Sequence, residues 1–450
     1  MDGSDITARA HAARGARIAR SSGGEAEAVK TDGDLAPRHA ALDLLAAALD
    51  RRSGLEEAMA TGTFARLNPL DRSFARALTM ATLRRLGSID RALQARVKKA
   101  PPDVVVHILR LGAAELLHLD TPDHAAVDSA VRLAEQRAKP FKGLVNAVLR
   151  GLSRERPAEG SPEVDVPAWL VSRWRSAYGE DAARIAAAVR SEPPTDLTPR
   201  DPAEAEALAA LLEGEVLPTG SVRVRRSGRI EDWPGFGEGR WWVQDAAAAL
   251  PARLLAVRPV ETALDLCAAP GGKALQLAAA GASVTALDRS EPRLRRLHGN
   301  LERVGLAAEV VVAEAERWPD ARRFDAVLLD APCTSTGTFR RNPEVLWGTR
   351  PPEIVKLAGV QSRLLDAAAK RVADGGRLVY CVCSIEPEEG EGQVAAFLAR
   401  RPEWRVEPAD AAALGAPPEA VRDGALRLLP SMWAERGGMD GFYATKLVRK

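Results

Sequence analysis

Two rhythms of apolar spacing divide the chain. From Arg38 to Arg150, apolar residues recur at three and four positions in HAALDLLAAALD, RSFARALTMATLRRL, SIDRALQARV, VVVHILRLGAAELLHL, HAAVDSAVRLAEQ and KGLVNAVLRGL. That period belongs to helices that bury one face, so an all-α bundle is expected, with Thr121, Pro122 or Asp123 marking one helix start. Further on, short apolar runs alternate with helical stretches: Ala263 to Cys267, a run ending at Asp288, AEVVVAEA, FDAVLLD and GRLVYCVCS, separated by Ala274–Ala280, RSEPRLRRLHGNLERVG and GVQSRLLDAAAKRV. Runs this dense suit strands buried on both faces, and the alternation predicts a doubly wound, mostly parallel α/β sheet. Ligands of such sheets bind beyond the carboxyl ends of the strands. WRVEPAD and DGFYATKLVRK add two more expected strands, and WWVQDAAAALPARLL, from Trp241, reads as the helix that opens this region.

The remaining stretches supply boundaries. Residues 1–34 mix Ala, Arg, Gly and Ser without apolar period and read as a disordered tail, and SRERPAEGSPEVD, 153–165, reads as a linker. Between them lies the bundle, 35–152. Residues 166–240 suggest a small α+β subdomain, with one or two helices and short strands in PPTDLTPR and GSVRVRRSGRI, and 241–450 form the larger domain. At 450 residues, two to four domains are expected.

Composition narrows the class without naming a partner. Lys and Arg total 63 against 61 for Asp and Glu, so no global positive field favours nucleic acid. Local clusters remain: Arg84, Arg85, Arg96, Lys98 and Lys99 on the bundle, Arg223, Arg225, Arg226 and Arg229 in the subdomain, and four arginines from Arg9 to Arg20. For each, a solvated face is the competing reading. Four cysteines without an apolar leader point to a reducing cytoplasm, and no apolar run approaches the ~20 residues of a membrane span.

The candidate chemistry centres on TALDLCAAPGGKALQLAAAGASVTALD, residues 262–288. A strand enters a turn at Gly271 and Gly272 and leaves as a helix, whose bare amides and positive dipole end suit a phosphate or a carboxylate equally well. Asp288, closing the next strand, suits ribose hydroxyls. Neither GxxxxGK[ST] nor GxGxxG is present. The strand ends also bring Cys267, Asp330-Ala-Pro-Cys333 and Cys381-Val-Cys383 toward one crevice. If the last strand persists that far, Cys381 and Cys383 share a face. A tetrahedral zinc site lacks its CxxC knuckle, and a Cys-His protease has only His298 to draw on in this domain.

The D-x-C-A-A-P-G-G-K block, DAPCTSTGTFRRNPEVLW, YCVCSIEPEEGE and the closing DGFYATKL resemble the motifs of RNA cytosine-5 methyltransferases. DRSFARAL, ILRLGAAELL, HAAV and LVNAVLR resemble the NusB-like domain that precedes the catalytic domain in bacterial 16S ribosomal RNA enzymes of the RsmB (Sun) type. The resemblance implies an S-adenosylmethionine-dependent enzyme acting on RNA, most readily small-subunit ribosomal RNA, as a cytoplasmic monomer. Another RNA such as tRNA, or a non-catalytic RNA-binding assembly factor, are the alternatives. It further implies that Cys267, Ala268, Ala269, Pro270, Gly271, Gly272 and Lys273 wrap the methionine end of the cofactor, with Asp288 at the ribose and Glu314, where the family commonly has Asp, at the adenine side. Asp330 also borders the cofactor. After the double proline, Leu197, Thr198, Pro199 and Arg200 depart from the family's L-R-V-N.

By the same resemblance Cys383 is the nucleophile, Cys333 releases the product and Asp330 meets N3 of the base. The chemistry needs a thiolate because C5 of cytosine is a poor nucleophile until a group adds at C6. A free thiol of pKa ~8.5 is only slightly ionised at neutral pH. Ser384 as N-cap with Pro387 near N1 is expected to start a helix whose dipole favours the thiolate, opposed by Glu386, Glu388, Glu389 and Glu391. Arg340, Arg341, Arg289, Arg293, Arg295 and Arg296 are candidates to grip phosphates at the rim.

Overall fold

The computed structural model describes residues 35–51 and 54–450, so the expected tail, residues 1–34, lies outside the described residues. The amino-terminal part is the helical bundle that the periodicity predicts: α1 (Ala36–Ala46), α2 (Leu55–Ala60), α3 (Pro69–Arg84), α4 (Leu86–Gln94), α5 (Asp103–His118), α6 (Asp123–Arg137) and α7 (Lys142–Arg154). Asn68 starts α3 by accepting the Asp71 amide at 3.0 Å. Its core joins Leu42, Leu78, Ile108, Leu133 and Leu149. Within it Arg38 donates to both oxygens of Glu115, at 2.9 and 2.6 Å, so each buried charge meets its opposite.

The expected linker proves tethered. Its first residues continue α7, and its end forms a turn at Pro162–Asp165 pressed against Gly87, where a Cβ would lie 1.7 Å from the Val164 carbonyl oxygen. Asp165, fully buried, accepts from the Ser88 amide and from Arg190 Nε, both at 2.7 Å. Polar composition signalled a linker, whereas one buried carboxylate fixes its end.

After α8 (Ala168–Tyr178) and α9 (Asp181–Ala187) comes a small antiparallel sheet of β1 (Thr195–Pro199), β2 (Glu215–Val216), β3 (Val222–Val224) and β4 (Trp241–Val243), in the order β2-β3-β1-β4, with α10 (Ala205–Leu212) on it. Asp196 and Arg223 staple β1 to β3 through two 2.7 Å bonds inside that sheet. The helix expected from Trp241 therefore begins later. Trp241, Trp242 and Val243 pair with β1, and only Ala246 opens α11 (Ala246–Leu255), capped by Asp245. Bulky aromatics pack well on a pleated strand, and that preference overrides the apolar run that follows.

The large sheet reads β11-β12-β13-β9-β8-β5-β6-β7, with β10 beside β13. Its strands are β5 (Thr262–Leu266), β6 (Ser283–Asp288), β7 (Glu309–Val312), β8 (Phe324–Asp330), β9 (Val372–Val382), β10 (Trp404–Glu407), β11 (Val421–Arg422), β12 (Ala425–Leu428) and β13 (Phe442–Arg449). Helices α12 (Gly272–Ala279), α13 (Glu291–Val304), α14 (Pro351–Lys370) and α15 (Glu391–Arg400) complete it. β5 pairs in parallel with both β6 and β8, so the chain departs in opposite directions from this point and opens a crevice beyond their carboxyl ends. The hairpin β11–β12 was not legible in the sequence, since VR and ALRL are too short to show a period.

Candidate active site

The loop after β5 is built for a tight reversal. Cys267 has φ +63°, Gly271 has φ +112°, and a Cβ on Gly271 would lie 2.3 Å from Leu297 Cδ1. Only glycine combines that backbone with that closeness to α13. Gly272 faces Gln244, 3.3 Å from where its Cβ would sit. Both glycines thus serve the turn and the packing behind it. The cleft in front, about 310 Å³, is lined by Cys267, Ala269, Asp288, Glu314, Asp330, Cys333 and Cys383. Ala268, Pro270, Gly271, Gly272 and Lys273 form its backing, and Lys273 Nζ reaches Asp330 Oδ2 at 2.7 Å.

These surroundings fit a nucleoside-bearing cofactor. The Asp288 carboxylate is oriented by the Ser290 and Ala269 amides at 2.8 and 3.2 Å, ready to accept from vicinal hydroxyls. Val360, Leu364 and Ala315 offer an apolar wall for a flat ring, and Glu314 lies at the rim beside Arg317, 3.0 Å away. Beneath the loop, both oxygens of Asp265 are buried without a partner. Burial, reinforced by Asp330, pushes its carboxyl well above the usual range.

The two candidate thiols meet at the other end of the cleft. Cys333 Sγ lies 3.5 Å from Cys383 Sγ, and Ser335 Oγ is 3.5 Å from Cys383 and 4.0 Å from Cys333. The hydrogen bond between the two sulfurs pushes their pKa values apart, Cys383 below its ordinary value against the cost of burial and Cys333 well above. Cys381 separates from the pair because β9 ends at Val382. Its sulfur points into the core, 3.6 Å from Asp330 Oδ1, and burial pushes that thiol up. Ser335, which touches both sulfurs, escaped the sequence reading; its left-handed backbone, φ +57°, had no glycine to announce it.

Three sequence expectations need correction. No helix starts at Ser384, whose hydroxyl instead accepts the Glu386 amide at 3.0 Å and meets Thr334 and Thr336; α15 begins seven residues on, at Glu391. Hydrogen bonds, not a dipole, therefore bias Cys383. Nor do the neighbouring acids oppose it: Glu386 and Glu388 are paired with Arg173, Glu391 with Arg427, and Glu389 accepts from Thr334. The arginines expected at the rim divide. Arg340 is buried against Asp440, and Arg341 binds Asp245 and Asp440, so neither faces a phosphate. Arg289 and Arg293 do line the cleft, while Arg295 pairs with Glu291 and Arg296 with Glu56 of the bundle. Of the other clusters, Arg84 and Arg223 are buried, Arg85 and Arg96 pair with Glu159 and Glu155, and Arg200 donates to the Val304 carbonyl.

Residues 252–448 match the family model of the 16S rRNA methyltransferase RsmB/F, and residues 35–154 that of the NusB family. The ribosomal RNA small subunit methyltransferase B of Sodalis glossinidius is 37% identical over 410 residues, covering 85% of this chain and 91% of that protein. The chain belongs to the RsmB/F family. Its counterpart in Thermus thermophilus is 38% identical over 382 residues, covering 84% and 89%. Among solved structures, PH0851 superposes with a TM-score of 0.75 over 94% of this chain and all of that one, at 24% identity, which speaks for the fold alone. A methyltransferase homolog from Pyrococcus horikoshii reaches 0.53 at 27% identity, over 63% of this chain and 94% of its own. As an RsmB/F member, the chain is an S-adenosylmethionine-dependent RNA methyltransferase with a NusB domain before its α/β catalytic domain. Among the described residues no helix is long and apolar enough to cross a membrane.

Proposed function

We propose that this RsmB/F protein methylates C5 of a cytosine in small-subunit ribosomal RNA through a covalent bond between Cys383 and C6, acting as a cytoplasmic monomer. The observation that carries the reading is the 3.5 Å pair of sulfurs at the mouth of the cleft, with Cys383 the more acidic member. The Cys383 thiolate adds to C6, and the electron pair displaced from the C5–C6 double bond makes C5 nucleophilic. Asp330 is the group placed for N3. Lys273 donates to its Oδ2 and the Cys381 thiol lies against its Oδ1, which together keep the carboxylate fixed. Lys273 therefore serves Asp330 in this reading and not the methionine end directly.

S-adenosylmethionine, when bound, supplies the electrophilic methyl group. Asp288 and Glu314 are proposed to hold its ribose and adenine sides, with Cys267, Ala268, Ala269, Pro270, Gly271 and Gly272 shaping the methionine end. After transfer water takes the C5 proton, the C5–C6 double bond re-forms and the C6–sulfur bond breaks. Cys333 serves this release by donating its thiol hydrogen bond to the departing Cys383 thiolate. The target base must leave its stack to reach the sulfurs, which costs a few kcal/mol for a paired base, so looped RNA is favoured.

The test is transfer of labelled methyl groups to unmodified small-subunit RNA, with mapping of 5-methylcytosine in cells with and without the protein. Label at C5 of one cytosine is expected. Label confined to tRNA would move the substrate assignment, and label on another atom would remove the adduct.

A further inference from the structure

One side chain of the NusB bundle reaches the reactive loop by hydrogen bonds. Arg84, the last residue of α3, is buried, and its Nη1 reaches the Arg340 carbonyl at 2.5 Å, the Ser191 carbonyl at 3.2 Å and the Val189 carbonyl at 3.3 Å. Three parts of the molecule meet there: the bundle, the subdomain and the loop from Asp330 to Arg341. That loop runs back to the sulfurs in few steps. The Arg341 amide donates to Thr338, the Thr338 amide to Ser335, and the Gly337 amide to the Cys383 carbonyl at 3.0 Å. Ser335 then contacts both Cys333 and Cys383.

A guanidinium is an expensive bolt for simple docking. Arg84 has carbonyls for partners and no carboxylate within bonding distance among the described contacts; Glu192 and Glu344 lie nearby, as does the like-charged Arg340. Burial lowers its pKa to about 10, so it stays charged at neutral pH. An apolar side chain of similar volume would join the domains at lower desolvation cost. What an apolar side chain lacks is a donor that draws carbonyls of separate segments onto one nitrogen, as Nη1 does here.

We propose that Arg84 is a positioning residue for the reaction: from the NusB bundle it holds the carbonyl of Arg340, and through the 335–341 turn it sets Ser335 and Cys333 against Cys383. The bundle then contributes to the chemistry. The inference rests on Cys383 being the nucleophile, and its test reads the thiol directly so that it does not depend on which RNA is methylated.

In the full-length protein, the pH dependence of Cys383 alkylation by iodoacetamide is followed by peptide mass spectrometry, alongside kcat and KM for RNA. Arg84→Ala should move the alkylation midpoint upward by about one pH unit and lower kcat about tenfold, with KM for RNA within about twofold. Arg84→Lys, which keeps the charge but carries its donors on a shorter side chain, should shift both in the same direction by less. A lowered thermal midpoint with an unchanged alkylation profile and kcat would make Arg84 a docking residue only and overturn the proposal. If Arg84→Ala does not fold, an unshifted profile in Arg84→Lys overturns it equally. A shifted alkylation profile in a protein that methylates some other atom would leave the positioning intact and remove the cytosine reading instead.

Discussion

In the bundle, Arg38 and Glu115 lie buried and face each other in a two-bond fork; in the crevice, Asp265 is buried with no partner at all, and two thiols share one hydrogen bond. Both regions take ionisable groups out of water. In the bundle, Arg38 and Glu115 cancel each other's charge locally, so neither is left alone in the core. The crevice leaves protons unevenly held, Cys383 pushed down and Cys333 pushed up across 3.5 Å, and pairs of groups pushed apart in this way are where acid and nucleophile roles are found. Desolvation alone therefore does not mark a site. What marks it is a pair of like groups in contact whose pKa values that contact drives apart.

The largest expected effect breaks the asymmetry of the thiols. Cys383→Ala should abolish methylation, by a factor of 10³ or more on the scale of lost covalent nucleophiles, and should leave no RNA attached to protein on a denaturing gel. Cys333→Ala should stop turnover while the adduct forms and accumulates, giving a shifted band. A band from the Cys383 variant alone would exchange the two roles.

A second test breaks the cancellation in the bundle. Arg38→Ala strands the Glu115 carboxylate in the core, and removing one member of a buried pair costs about 3–5 kcal/mol. Chemical denaturation should show the bundle's transition moving to lower denaturant, with cofactor binding to the catalytic domain retained. Equal loss in both regions would mean that the domains unfold as one unit through the Arg84 junction.

The same contrast decides what could be seen in the sequence. The bundle was legible because a helix repeats its burial every three to four residues, and the sheet because its strands are dense apolar runs between helices. Motif residues such as Cys383, Cys333 and Asp330 came together as expected, because strand ends of a doubly wound sheet converge. Pairings that depend on side chains far apart in sequence were invisible: Arg341 with Asp245, Arg173 with Glu386, Arg84 with the Arg340 carbonyl. Each of these arginines looks like a solvated or RNA-facing charge until its partner, 96 to 256 residues away, is known. The helix expected after Cys383 failed for a nearer reason. Ser384 accepts the Glu386 amide as a cap would, yet the chain then closes into a turn over residues 387–390 and the helix begins only at Glu391.

The smallest effect lies where the two regions touch, at Glu344. Its carboxyl sits near Arg84 with one oxygen buried and unpartnered, and burial raises its pKa from 4.5 to about 7. The raised value means that the folded protein binds a proton more tightly than the unfolded chain does. Stability from this group is therefore fully present below pH ~4.5 and is lost as the pH rises through about 7. The shift corresponds to at most ~3 kcal/mol, and the side chain is only partly shielded, so roughly 1–2 kcal/mol is expected. Glu344→Gln keeps the shape and removes the titration. It should leave the thermal midpoint unchanged at pH 5 and raise it by about 1–4 °C at pH 8. If the midpoint falls at pH 8 instead, Glu344 is ionised there and paired with Arg84. The junction would then cancel its charge as the bundle does, and the uncompensated character of the site would stop at the loop that carries Cys333.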